Sequence, residues 1–229
     1  MTRRFVVLGH PVAHSLSPAI HEAAYAELDL DATYGRRDVD PAGLAAAIED
    51  LRRGRLDGAN VTMPHKSAAV GLVDRLDPVA ARLGALNTLD VDGGRVVGHA
   101  TDGAGVLHAW ARGGLPIDAP VLVLGAGGAA RAAVDVLAGR HEVWVAARRP
   151  EAAAALDSLG AAGALAWGEP LTGAVVVNAT PIGMAGDDLP DGVVEEAAGL
   201  FEMVYAPEVT PAVSRARANG LPIGWGLDM

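Results

Sequence analysis

The sequence predicts an α/β protein built from two units. Three observations carry that reading. Short β-branched runs alternate with Ala/Leu-periodic stretches, glycine-rich turns join them, and a glycine-patterned strand-to-helix turn opens only in the second half of the chain. The 229 residues suffice for two modest domains. The division is expected near Ala100, which gives units of residues 1–100 and 101–229.

The elements follow in order. FVVLG at residues 5–9 predicts the first strand. The basic start before it lacks a full apolar core and a small-residue cleavage site, so it does not read as a secretory signal. Ser17-Pro18 predicts a helix start with Ser17 as N-cap. Asp40-Pro41, then Leu44, Ile48 and Leu51 before Gly54, predicts a second helix. Its features are an Asp cap, proline at the first position, an apolar stripe and a glycine stop. Asp77-Pro78 repeats the signal. Residues 98–120 read as a strand end, a helix and a loop. VLVLG (121–125), VWVA (143–146) and VVVN (175–178) are continuous apolar runs. Such runs suit strands buried on both faces, and hence a mostly parallel sheet.

Composition narrows the function. A net charge of −10 argues against nucleic acid as a partner, which needs a basic footprint. There is no cysteine, so thiolate catalysis and Cys-ligated metals are excluded. No run of eighteen apolar residues offers a membrane span, and the expected location is cytoplasmic. His10 and His14 are four apart but have a proline between them, and no metal site is expected. Of 18 Lys and Arg residues, only Lys66 is lysine. It stands in NVTMPHK at residues 60–66, beside a His that reads as positional.

The second half carries a dinucleotide signal. Gly125-x-Gly127-x-x-Ala130 directly follows an apolar strand and opens an Ala-rich helix. Gly125 permits the tight turn, Gly127 lets backbone approach a pyrophosphate, and Ala130 allows close packing of the helix. With Ala126, Gly128 and Ala129 they form the cofactor turn at a helix N-terminus, where partial positive charge favours phosphate. The next strand ends in Arg148 and Arg149, with no carboxylate. Two guanidiniums there suit a 2′-phosphate, so NADP is expected rather than NAD.

Four further segments stand before that turn: HSLSP (14–18), NVTMPHK, GALNT (84–88) and TDGAG (101–105). In this order, across nearly the whole chain, they resemble the shikimate dehydrogenase family. The resemblance implies an N-terminal α/β substrate domain and a C-terminal NADP-binding Rossmann domain, with a cleft between them. It implies reversible hydride transfer between NADP(H) and shikimate/3-dehydroshikimate, in aromatic amino-acid biosynthesis. By matching motif, Ser15, Ser17, Asn60, Thr62, Asn87 and Tyr205 would bind substrate, the two serines at its carboxylate. Ser17 could serve as a cap as well. Lys66 and Asp102 would form the pair at the reacting hydroxyl. Arginine cannot lose its proton in a protein, whereas a lysine amine can. Lys66 therefore reads as acid/base or as an orienting group, with Asp102 balancing its charge. Thr180 and Met184, in NATPIGM, and Gly226, in WGLDM, would lie near the cofactor.

The sequence departs from the family pattern in places. Ala100, Ala147 and Glu202 stand where Asn, Asn and Asp are usual, and Asp228 replaces a glycine, adding a carboxylate near the expected nicotinamide. The family pattern continues past Met229 with a helix that carries a substrate-contacting Gln. Without it, the N-terminal domain would expose apolar surface that a second subunit of a homodimer could cover. A quinate or aminoshikimate dehydrogenase, and an NADP(H)-binding sensor with weak catalysis, are the alternative readings.

Overall fold

The computed structural model describes residues 1–229, and the chain divides into two compact units, Met1–Thr101 and Asp102–Met229. The first unit contains β1 (Arg3–Gly9), α1 (Ser17–Glu27), β2 (Ala32–Asp38), α2 (Leu44–Arg52), β3 (Gly58–Val61), β4 (Arg75–Leu76), α3 (Pro78–Leu83), β5 (Thr88–Asp92) and β6 (Arg95–His99). Its sheet runs β2-β1-β3-β5-β6-β4. The pairs β1–β2, β1–β3 and β4–β6 are parallel, whereas β3–β5 and β5–β6 are antiparallel. Leu44, Ala47, Ile48 and Leu51 form the buried stripe of α2 and pack with Leu8, Val61, Leu89 and Val96. Full burial of each large aliphatic side chain here contributes roughly 1.5–3 kcal/mol.

Two expected caps lie elsewhere. Helix α2 begins at Leu44, not at Pro41. The Asp40 carboxylate accepts from the Gly43 N–H at 2.8 Å and ties off a separate turn. The first α-type bond of the helix then runs from Ala47 N–H to Gly43 O. Ser17 is already helical, because Leu16 occupies the cap position in right-handed backbone geometry, and no side chain caps α1. The Asp77 reading holds: its carboxylate accepts from Ala80 N–H at 2.6 Å, and Gly84 closes α3 at φ 60°.

The second unit contains α4 (Asp102–Arg112), β7 (Val121–Leu124), α5 (Gly128–Leu137), β8 (Val143–Ala146), α6 (Pro150–Ala154), β9 (Gly163–Leu165), β10 (Val175–Asn178), β11 (Gly199–Glu202), α7 (Pro211–Ala218) and β12 (Ile223–Trp225). All strands are parallel, in the order β12-β11-β10-β7-β8-β9. The direction of winding reverses between β7 and β10, and ligands of open α/β sheets bind at the carboxyl ends of strands at such a switch point. Every residue of β7, β10 and β11 is buried. This agrees with the apolar runs read at β7 and β10, whereas β8 keeps Trp144 half-buried and β1 is buried only from Val7 to Gly9.

Candidate active site

In the first unit the motif residues gather at the carboxyl ends of β1 and β3. Gly9 ends β1 beside Thr62, and a Cβ there would collide with the threonine methyl. Thr62 N–H donates to Leu8 O, and His65 N–H donates to Thr62 O, each at 2.9 Å, so the NVTMPHK segment is held against β1. His65 is buried, with its Nε2 2.6 Å from Val39 O, which fits a positional role. Lys66, half-buried, is fixed through its carbonyl, which accepts from Leu86 N–H.

Asn60 sits on β3 at the centre of a polar cluster. Its Oδ1 accepts from the Tyr34 hydroxyl at 2.6 Å, and its Nδ2 donates to Asn87 O and Thr88 Oγ1. Asn87 in turn exchanges two hydrogen bonds with Thr101, each at 2.8 Å. Ser15 is buried; its hydroxyl donates to Ser17 Oγ at 3.1 Å and accepts from Ser17 N–H. Burial pushes the Tyr34 phenol above its ordinary range, while a hydrogen bond with Ser17 acts the other way. Tyr34 thus joins β2 to Asn60 on β3. Sequence reasoning missed Tyr34, and also Arg36, whose guanidinium grips Ser15 O through Nε and Nη2 at 2.9 and 2.6 Å. Along β2 only Tyr34 is buried, and Arg36, two positions on, is exposed, so no clean alternation marks either residue.

In the second unit the glycine turn follows β7 as expected. Gly125 has φ 110° and its N–H donates to Ala146 O, a conformation that favours glycine. Gly127 precedes α5 in extended geometry, and a Cβ there would meet nothing within 4 Å. Backbone is therefore open to a ligand at the helix N-terminus, next to Ala126, Gly128 and Ala129, while Ala130 is buried under the helix. Arg148 and Arg149 are exposed just past β8. An open turn, a helix N-terminus and two exposed cations fit a phosphorylated dinucleotide.

A second polar cluster surrounds Glu202, which has no exposed surface. Its Oε1 accepts from Asn178 Nδ2 and Val204 N–H, both at 2.9 Å, and its Oε2 accepts from Thr210 Oγ1 at 3.0 Å. Burial pushes this carboxyl up to about 7, against the opposing pull of those hydrogen bonds. Asn178 Oδ1 also accepts from Thr180 Oγ1 at 2.6 Å and from its N–H. Thr180 and Met184, both half-buried, lie on the loop after β10, and Tyr205, also half-buried, follows Val204. The same carboxyl therefore ties the cofactor-type loop to the segment bearing Tyr205.

Asp102 is the first residue of α4. The Asp228 carboxylate is 2.9 Å from Arg112 Nε at the other end of that helix, so a cation meets the added charge. Gly226 packs on the Met203 backbone too closely for any side chain.

Residues 7–89 match the family model described as the shikimate dehydrogenase substrate binding domain. A shikimate dehydrogenase (NADP(+)) of Citrifermentans bemidjiense is 42% identical over 250 residues, covering 97% of this chain and 84% of that protein. The crystal structure of Thermus thermophilus shikimate 5-dehydrogenase in complex with NADP(H) and shikimate superposes with a TM-score of 0.89 at 40% identity, over 99% of this chain and 88% of that one. The Thermotoga maritima enzyme gives 0.82 at 29% identity, over 98% and 88%. Similarity of this depth along almost the entire sequence, on the same two-unit frame, means that this chain belongs to the shikimate dehydrogenase family.

Proposed function

We propose that this protein is an NADP-dependent shikimate dehydrogenase that interconverts shikimate and 3-dehydroshikimate. The observation that carries the reading is the match, over 99% of the chain, to a relative solved with both NADP(H) and shikimate. When bound, NADP supplies the hydride acceptor or donor. Gly125 to Ala130 would hold its pyrophosphate by backbone N–H groups, and Arg148 and Arg149 its 2′-phosphate. Thr180, Met184 and Gly226 would line the nicotinamide side.

The remaining roles belong to side chains. Ser15 and Ser17 hydrogen-bond the substrate carboxylate. Asn60, Thr62, Asn87 and Tyr205 read hydroxyls and hold the ring. Lys66 takes the proton of the reacting hydroxyl during oxidation and returns it during reduction, and Asp102 balances its charge. Residues 1–100 act as the substrate domain and residues 101–229 as the cofactor domain. A biosynthetic role of this kind supports a cytoplasmic location for the enzyme.

The test is NADP+ reduction with and without shikimate. Shikimate-dependent turnover, faster than with quinate and faster than with NAD+, is the expected result. Binding of NADPH without turnover on any of these substrates would overturn the assignment.

A further inference from the structure

We propose that Arg36 is a specificity-determining residue, which makes the Ser15–Ser17 pair selective for an anionic carboxylate. The inference rests on the reading that this pair receives the substrate carboxylate. Arg36 leaves β2 and donates twice to one acceptor, Ser15 O, through Nε at 2.9 Å and Nη2 at 2.6 Å. The fork fixes the peptide that carries the buried Ser15 hydroxyl, which itself bonds to Ser17 Oγ and N–H.

The charge on Arg36 stays unmatched. Arg37 and Arg55 pair with Asp50, Arg52 with Asp74 and Glu49, Arg53 with Glu49, and Arg75 with Asp92. The nearby Asp38 is taken by His10 at 2.5 Å. No carboxylate bridges to Arg36; its acceptor is a neutral carbonyl. In a chain of net charge −10 this keeps one full cation beside the hydroxyl pair. An anion on Ser15 Oγ would lie within about one Debye length, ~8 Å at physiological salt, of that guanidinium. Two neutral hydroxyls alone would accept an acid or its uncharged ester alike; the cation gives the anion its advantage. Arg36 acts through Ser15 and through its field, without needing to touch the ligand.

The experiment is steady-state kinetics of wild type, Arg36→Gln, Arg36→Lys and Ser15→Ala with shikimate and with its neutral methyl ester, at low and high salt. Arg36→Gln should raise KM for shikimate roughly 5- to 30-fold, leave kcat and KM for NADP+ within about 2-fold, and abolish the rise of KM with salt. KM for the ester should rise far less than KM for shikimate, and Arg36→Lys, which keeps the charge but loses the fork, should restore the salt dependence and part of the shikimate affinity. An equal loss on acid and ester, or no loss at all, would overturn the proposal. Ser15→Ala separates the two levels. If it leaves KM for shikimate unchanged, the carboxylate reading itself fails and the Arg36 proposal with it. If it raises KM while Arg36→Gln does not, only the Arg36 proposal falls.

Discussion

The two units prepare their sites by opposite means. In the first, side chains already hold one another: Tyr34 bonds Asn60, Asn60 bonds Thr88, Asn87 bonds Thr101, and Ser15 bonds Ser17. In the second, the turn after β7 is bare backbone, with Gly127 facing open space. A small polyol has to be read group by group, whereas a pyrophosphate needs only N–H donors and a helix terminus. Changes in the first unit should therefore strike turnover or substrate affinity, and changes at the turn should strike cofactor affinity with the fold intact. The Glu202 cluster is the exception in the second unit, since there a side chain does the organising.

The largest effect is expected at Lys66. Lys66→Ala should lower kcat by about 10²- to 10⁴-fold, the usual weight of a positioned acid/base, with NADPH binding unchanged by fluorescence titration. Retained turnover would move the acid/base role off Lys66. Glu202 comes next. Its carboxyl rises from an ordinary 4.5 to about 7 on folding. Between those values the folded protein holds a proton that the unfolded chain has released. Stability must then fall as pH rises through that window and stay low above it, by on the order of 3 kcal/mol. Glu202→Gln keeps an acceptor for Asn178 and Val204 and can donate to Thr210. Relative to wild type it should gain in denaturant unfolding between pH 4 and pH 8, and a constant difference would refute the linkage.

Gly127→Val should weaken NADP+ binding by roughly 100-fold, as a lost close backbone approach does, while Tm moves little because the added Cβ meets nothing within 4 Å. A large fall in Tm would show that the turn is not open. The smallest effect is expected at the guanidiniums. Arg148→Ala with Arg149→Ala should cost about 10-fold in NADP+ affinity and leave NAD+ nearly untouched, measured as the ratio of the two KM values.

The legible features were the local ones. Continuous Val/Leu runs gave away β7, β8 and β10, and Gly125 and Gly127 revealed the turn, because each depends on neighbouring residues alone. Asp77 was legible as a cap for the same reason. Ser17 was misread because Ser-Pro is a frequent cap pair, and only the backbone at Leu16 shows that the helix has already begun. The substrate-side residues were legible by resemblance, not from physics, since Asn60 meets Tyr34 across 26 positions. Arg36 meets Ser15 across 21, and no periodicity encodes such a meeting. The partner of Asp228 was equally hidden: the residue read as an added charge, and Arg112 lies far back along the chain.

The Glu202 cluster also sets how part of the second unit opens to solvent. Four backbone amides lead back to that one carboxyl. Val204 N–H reaches it directly, Val213 N–H through Thr210, Thr180 N–H through Asn178, and Ile182 N–H through Thr180. All four share one anchor, so losing the Glu202 contacts loosens them together. In deuterium these amides should exchange as one cooperative block, with a common protection factor, so the loop after β10 and the start of α7 breathe together although they are some thirty residues apart.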